Sequence, residues 1–203
     1  MQEYVVKIKS LTDIMPGSGE SIPGTIDSDI RYDALGLPYM NAKTVKGHLR
    51  EAMEQILAVS GDRFAGITAD GLLGGSNPAG DRRIAKIRVS DMKLSKAVRD
   101  TIQNAEISGS VTKEEILDSL TQIYTSTKIN EMNGTAEAHT LRKYRMLKKG
   151  LLFEVSLETE DLSRKEEELL FMSVRAVQHV GTLKSKGKGS VLCTIYKKGG
   201  IQA

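Results

Sequence analysis

The 203-residue chain has no tryptophan, and Phe and Tyr together make up only 4% of it. So few aromatics argue against a broad stacking platform for single-stranded nucleic acid. There is one cysteine, Cys193, which excludes an intramolecular disulfide. No apolar run approaches the roughly 18 residues a membrane span requires, and nothing near Met1 resembles a secretory signal. The expectation is a soluble, cytoplasmic protein with no membrane partner. The histidines, at 48, 139 and 179, make no zinc spacing with Cys193. No serine occupies a nucleophile elbow, and no Gly-rich approach to a GK[ST] triplet forms a P-loop.

What is present is an uneven distribution of charge. The net charge of +3 decides little. From Arg82 to Arg99 there are seven basic residues and one acid, Asp91. Five of the eight residues from Arg142 to Lys149 are basic, and Gly181 to Lys198 holds five lysines and no acid. The acids collect elsewhere, as in Glu166-Glu-Glu168. Such segregation suits a polyanion-binding face opposite a solvated acidic one. The length fits one domain with its own core.

Periodicity divides the chain simply. Val5, Ile8 and Leu11 sit among β-formers, so residues 3 to 11 read as a strand. Residues 15 to 25, MPGSGESIPGT, hold three Gly and two Pro and read as a loop. Thr44 is a plausible N-cap for an amphipathic helix over 44 to 59, followed by Gly-rich residues 65 to 81. Ile84, Ile87 and Val89 read as a strand running to Leu94. Residues 95 to 107 suggest a short helix or ordered loop. Thr112, with Glu115 three residues on, starts a short helix over 113 to 121. Residues 124 to 146 are polar and turn-rich. A strand over 151 to 157, a helix capped by Ser163, a Gly/Lys loop at 181 to 189 and a strand over 190 to 196 complete the chain. The strong elements run βαββαβ, an α+β, ferredoxin-like order, in one domain over 1–203. Its insertion, at about 100–148, is long enough to carry function.

Four stretches carry candidate chemistry. In Gly24-Thr-Ile-Asp27-Ser-Asp29-Ile-Arg31-Tyr-Asp33, three carboxylates lie close together. They suit a divalent cation or a general base, or form a plain solvated acidic loop. Lys43, Lys46, Gly47 and Arg50 share one face of a helix start, where free amides favour an anion. Gly181 to Gly189 combines three Gly with Lys184, Lys186 and Lys188, enough to cradle phosphate or merely to turn. The segment from Thr127 to Arg145 is polar with scattered apolar residues and could project as an arm.

Together these stretches resemble the RAMP superfamily of CRISPR-Cas proteins. Residues 26 to 50 follow its pattern of an Asp, then G-x-P-Y, then K-G-x-L-R, in Leu35-Gly-Leu-Pro-Tyr39 and Lys46-Gly-His-Leu-Arg50. Asn41-Ala42 replaces the usual Pro-Gly, and Leu73 stands where Phe is common. Leu72-Leu-Gly-Gly75 and Ile87-Arg-Val-Ser-Asp91 are similar to later family stretches. Thr127 to Phe153 resembles the family's thumb segment, and Gly181 to Gly189 its closing glycine-rich loop.

The resemblance implies an RRM-type domain with a thumb insertion, serving as the backbone subunit of a type III effector. Its partners would be a CRISPR guide RNA, the target RNA, other effector subunits and copies of itself. Asp27 matches the loop aspartate that cuts target RNA with Mg²⁺ or another divalent cation, so it is the expected catalytic residue and metal ligand. The expected RNA contacts are Lys43, Lys46, Arg50, Arg82, Arg83, Asn130, Thr135, Arg142, Lys184, Lys186 and Lys188. Readings that compete are a non-cleaving RAMP subunit that only binds or caps the guide and, lower, a guide-processing ribonuclease using His48. Sequence would be read by base pairing, leaving the protein backbone contacts and shape.

Overall fold

Alternation organises β1 (Gln2–Ser10): Tyr4, Val6, Ile8 and Ser10 are buried, and Glu3, Val5, Lys7 and Lys9 turn to the opposite side. The computed structural model describes residues 1–75, 84–127 and 140–199. β1 is flanked antiparallel by β8 (Leu152–Thr159) and β9 (Val191–Lys197), so Val6 lies between Val155 and Ile195. Beyond β8 come two short strands, β4 (Ile87–Val89) and β5 (Met92–Leu94), both paired with it. The hairpin of β2 (Arg31–Tyr32) and β3 (Pro38–Met40) extends the sheet past β5.

One residue too many separates β4 from β5. Val89 opposes Leu157 while Lys93 opposes Glu154, so Ser90 and Asp91 form a bulge. The expected single strand from Ile84 is therefore two pieces, and Ile84, 83% exposed, lies outside both. Asp91, freed from the ladder, accepts the Ala42 amide at 2.8 Å. That contact anchors the start of α1 (Ala42–Val59). Asn41, not Thr44, is the N-cap: its Oδ1 accepts both the Thr44 amide and hydroxyl, at 2.9 and 2.8 Å. Thr44 fits a cap by type, but Asn41 three residues earlier fits as well and places Ala42-Lys43 inside the helix.

α1 buries Leu49, Ala52 and Met53. α5 (Arg164–Ala176) buries Leu169, Leu170, Ser173 and Val174 beside it. Both helices lie over the Tyr4–Val6–Ile8 face, closed by Phe153, Val155, Leu157, Cys193 and Ile195. With α1 between β1 and β4 and α5 between β8 and β9, the order β9–β1–β8–β4/β5 is ferredoxin-like, as the sequence indicated. α2 (Ala69–Leu73) and a 3₁₀ turn over Gly61–Phe64 follow α1. No helix of the described residues is long and apolar enough to cross a membrane.

Between β5 and β8 the chain builds α3 (Lys96–Ile107), α4 (Lys113–Leu120) and a separate hairpin of β6 (Thr121–Ser126) and β7 (Arg142–Leu147). α4 carries the expected Thr112–Glu115 capping box. The hairpin corrects the reading of 124 to 146 as mere turn-rich polar chain. Its strands are hard to see because Gln122, Ile123, Thr125, Arg142 and Lys143 all face solvent, leaving no apolar alternation.

Candidate nucleic-acid interface

Loop 15–30 is tied to the hairpin through its carboxylates. The backbone of Asp27 donates to the Lys143 carbonyl at 2.9 Å. In return the Lys143 amide donates to Asp27 Oδ2 at 2.7 Å. Asp27 is exposed, and it lines a groove of about 440 Å³ between Ile22–Ile26 on one side and Leu141 and Lys143 on the other. Oδ1 has no hydrogen-bond or ion-pair partner among the described residues.

The two neighbouring acids do different work. Asp29 is buried, and its Oδ1 accepts the Ile30 amide and pairs with Arg145 Nε at 3.0 Å. Arg145 also donates to Thr121 Oγ1 at 3.3 Å and reaches Asp118 at 3.6 Å, so it clamps the loop to both hairpin strands. Asp33 accepts the amides of Leu35 and Leu37, each at 3.0 Å, and shapes the turn before β3. Among the described residues no three His, Cys, Asp or Glu side chains are grouped to hold a metal.

The helix-face cations divide likewise. Arg50 pairs with Asp70 and donates to the Gly74 carbonyl, and Lys46 Nζ reaches the Leu73 carbonyl at 3.3 Å. Both therefore hold the segment 70–74 against α1. Lys43 is exposed and makes no ion pair or side-chain hydrogen bond among the described residues. Arg142, the first residue of β7, is free in the same sense. Arg82, Arg83, Asn130 and Thr135 lie outside the described residues.

The Gly/Lys loop is brought against the hairpin, a juxtaposition that sequence spacing did not reveal. Lys186 Nζ reaches Ser126 Oγ at 3.1 Å. Lys188 pairs with Asp13 at 2.9 Å and stands 5.2 Å above the Tyr124 ring. Lys184 pairs with Glu51 at 3.4 Å. Two glycines make the path possible. A Cβ on Gly181 would stand 2.1 Å from the Met15 carbonyl oxygen, and one on Gly189 would stand 2.2 Å from that of Val180. Both have positive φ, near +80°. The Gly181 amide donates to His48 Nε2 at 3.1 Å. Burial holds the His48 pKa below its usual value, the Lys184 charge adds to this, and Glu51 opposes it. An imidazole that accepts here is neutral and keeps its proton on Nδ1.

The fold and this junction define a ferredoxin-like protein with an accessory hairpin, in which a glycine-rich loop, a basic loop and an exposed carboxylate converge. The sequence model of the RAMP superfamily matches residues 7–192, and the chain belongs to that family. Solved structures show the same fold. One described as "Type III-B Cmr-beta Cryo-EM structure of the Apo state" aligns with a TM-score of 0.70 at 14% identity, covering 95% of this chain and 96% of its own. The "Cryo-EM structure of the Type III-B Cmr-beta bound to cognate target RNA" gives 0.70 at 12% identity, with coverage of 95% and 96%. A "Type IV-B CRISPR Complex" gives 0.64 at 12% identity, covering 99% of this chain and 93% of its own. No curated protein matches the chain.

Proposed function

We propose that this chain is an RNA-binding backbone subunit of a type III CRISPR effector complex, and that Asp27 cuts the target RNA paired with the guide. The observation that carries the reading is the position of Asp27. It is an exposed carboxylate held by the hairpin's own backbone, at the rim of a groove open to a strand. Family membership and the likeness to subunits of CRISPR complexes support the assembly and the RNA partner.

Asp27 suits a divalent cation such as Mg²⁺, because that ion binds through one or two carboxylates with substrate phosphates completing its shell. When bound, it supplies charge stabilisation at the scissile phosphate. Asp27 would hold it through Oδ1, since Oδ2 is engaged by Lys143. In the alternative, without the ion, the same oxygen would act as the base that takes the proton of a ribose 2′-hydroxyl. As the 2′-oxygen bonds to phosphorus, the 5′-oxygen leaves and takes a proton from water. Lys143, on the groove wall, offers a cation to the phosphate.

One observation favours the second reading, a subunit that binds without cutting. Among the described residues Asp27 is the only carboxylate lining the groove, and half of it is spent on a backbone amide. Asn at 27 keeps an acceptor for that amide and loses the charge, so the pair Asp27→Asn and Asp27→Ala separates chemistry from loop structure. In guide-loaded complex with labelled target RNA and Mg²⁺, both variants should lose cleavage by roughly 10²-fold or more while RNA binding persists. Undiminished cleavage by Asp27→Asn leaves the non-cleaving reading.

A further inference from the structure

We propose that Tyr124 and Tyr144, with Arg142, Lys186 and Lys188 beside them, form a stacking site for an unpaired RNA base. The proposal rests on the RNA-binding reading above and names what the far side of the hairpin would take.

Tyr124 and Tyr144 are cross-strand partners, and Ser126 pairs with Arg142 two positions further along, where β6 ends and β7 begins. Side chains of alternate residues share a face, so Tyr124, Ser126, Arg142 and Tyr144 lie together. Lys143 and Arg145 lie on the other face, with the Asp27 groove and Asp29. The two rings are 6.4 Å apart between centroids, with planes 29° apart. Both residues are half-buried and neither belongs to the main core cluster. Neither hydroxyl has a hydrogen-bond partner among the described residues.

A tyrosine pair alone could serve only to stiffen a hairpin. Here cations surround it. Lys188 stands over the Tyr124 ring, Lys186 is bonded to Ser126, and Arg142 is exposed beside them. Asp13, paired with Lys188, is the one carboxylate in contact with the group among the described residues. Rings offering a π-face next to several cations match a single-stranded nucleic acid, and the match is indifferent to base identity. Lys188 covers part of Tyr124, which leaves Tyr144 as the ring on which a base stacks. Ser28 bridges directly to Tyr144, so this base would lie across β7 from the carboxylate of Asp27.

The absence of tryptophan lets tyrosine emission be read, and the Tyr124→Leu/Tyr144→Leu variant gives the background from Tyr4, Tyr32, Tyr39 and Tyr196. Wild-type chain is titrated with single-stranded oligouridylate and with the same-length abasic ribose-phosphate strand. Oligouridylate should quench tyrosine emission and bind roughly fivefold or more tightly than the abasic strand. Tyr124→Leu with Tyr144→Leu should bring oligouridylate down to the abasic affinity with an unchanged salt slope, and Tyr→Phe at both positions should restore it. Lys186→Gln with Lys188→Gln should instead lower the salt slope, by roughly 0.7 for each phosphate no longer neutralised. Equal binding of the two strands by the wild-type chain overturns the stacking site even if the leucine variant misfolds. Full affinity in a folded leucine variant overturns it as well. If the wild-type chain binds neither strand, the RNA reading itself falls.

Discussion

Asp27, Asp29 and Asp33 carry the same group within one loop, and their partners give them three roles. Asp27 reaches a backbone amide and solvent, Asp33 folds a turn, and Asp29 neutralises Arg145. The Asp29–Arg145 pair is well shielded, at 4% and 14% side-chain exposure. Removing one partner strands a buried charge, so Asp29→Ala should cost about 3–5 kcal/mol. Arg145→Met should cost a similar amount, and the double variant should recover part of either loss. Urea midpoints of the single and double variants check this. Asp29→Ala is thus no neutral control for Asp27: it would slacken the loop that aims the carboxylate.

Helix starts show how local chemistry and packing combine. α4 and α5 both open with a complete capping box, Thr112 with Glu115 and Ser163 with Glu166. At Glu166 burial raises the pKa, yet the ion pair with Lys86 and the bonds from Ser163 outweigh it and hold the carboxylate below its usual range. α5 buries four residues against the sheet, whereas α4 buries only Ile116. Ser163→Ala should therefore cost about 1 kcal/mol of global stability, read as a shift in urea midpoint. Thr112→Ala should instead show as faster amide exchange confined to α4. A midpoint shift for Thr112→Ala as large as that for Ser163→Ala would contradict the distinction.

Over the whole molecule, basic residues scattered through the sequence gather at one junction, but many are committed to protein partners. The loop is pinned by His48, whose neutral ring accepts the Gly181 amide beside Lys184, Glu51 and His179. The folded pKa of His48 lies below 6.5. As pH falls, the unfolded chain therefore takes up this proton first. The His48 contribution is complete above about 6.5 and is lost as pH drops below that value toward the folded pKa. His48→Gln keeps an acceptor and removes the titration, so its urea midpoint should fall less than the wild type between neutral and mildly acidic pH. Identical pH profiles for the two proteins would sink this account.

Local signals were enough for the fold class. Short runs of β-forming residues marked β1, β8 and β9, and cap residues marked α4 and α5, because strand runs and helix ends depend on residues one to four apart. The KGxLR helix start and the glycine loop pointed to the family for the same reason. Tertiary structure decided what has no local signature. The β6–β7 hairpin is stabilised by pairing between strands some twenty residues apart, with few buried side chains to leave a pattern. Asp91 caps a helix forty-nine residues away. Arg50 and Lys46 read as free cations until the fold supplied their partners. The tie between Asp27 and Lys143 spans 116 positions, a distance over which only the closed chain can set geometry.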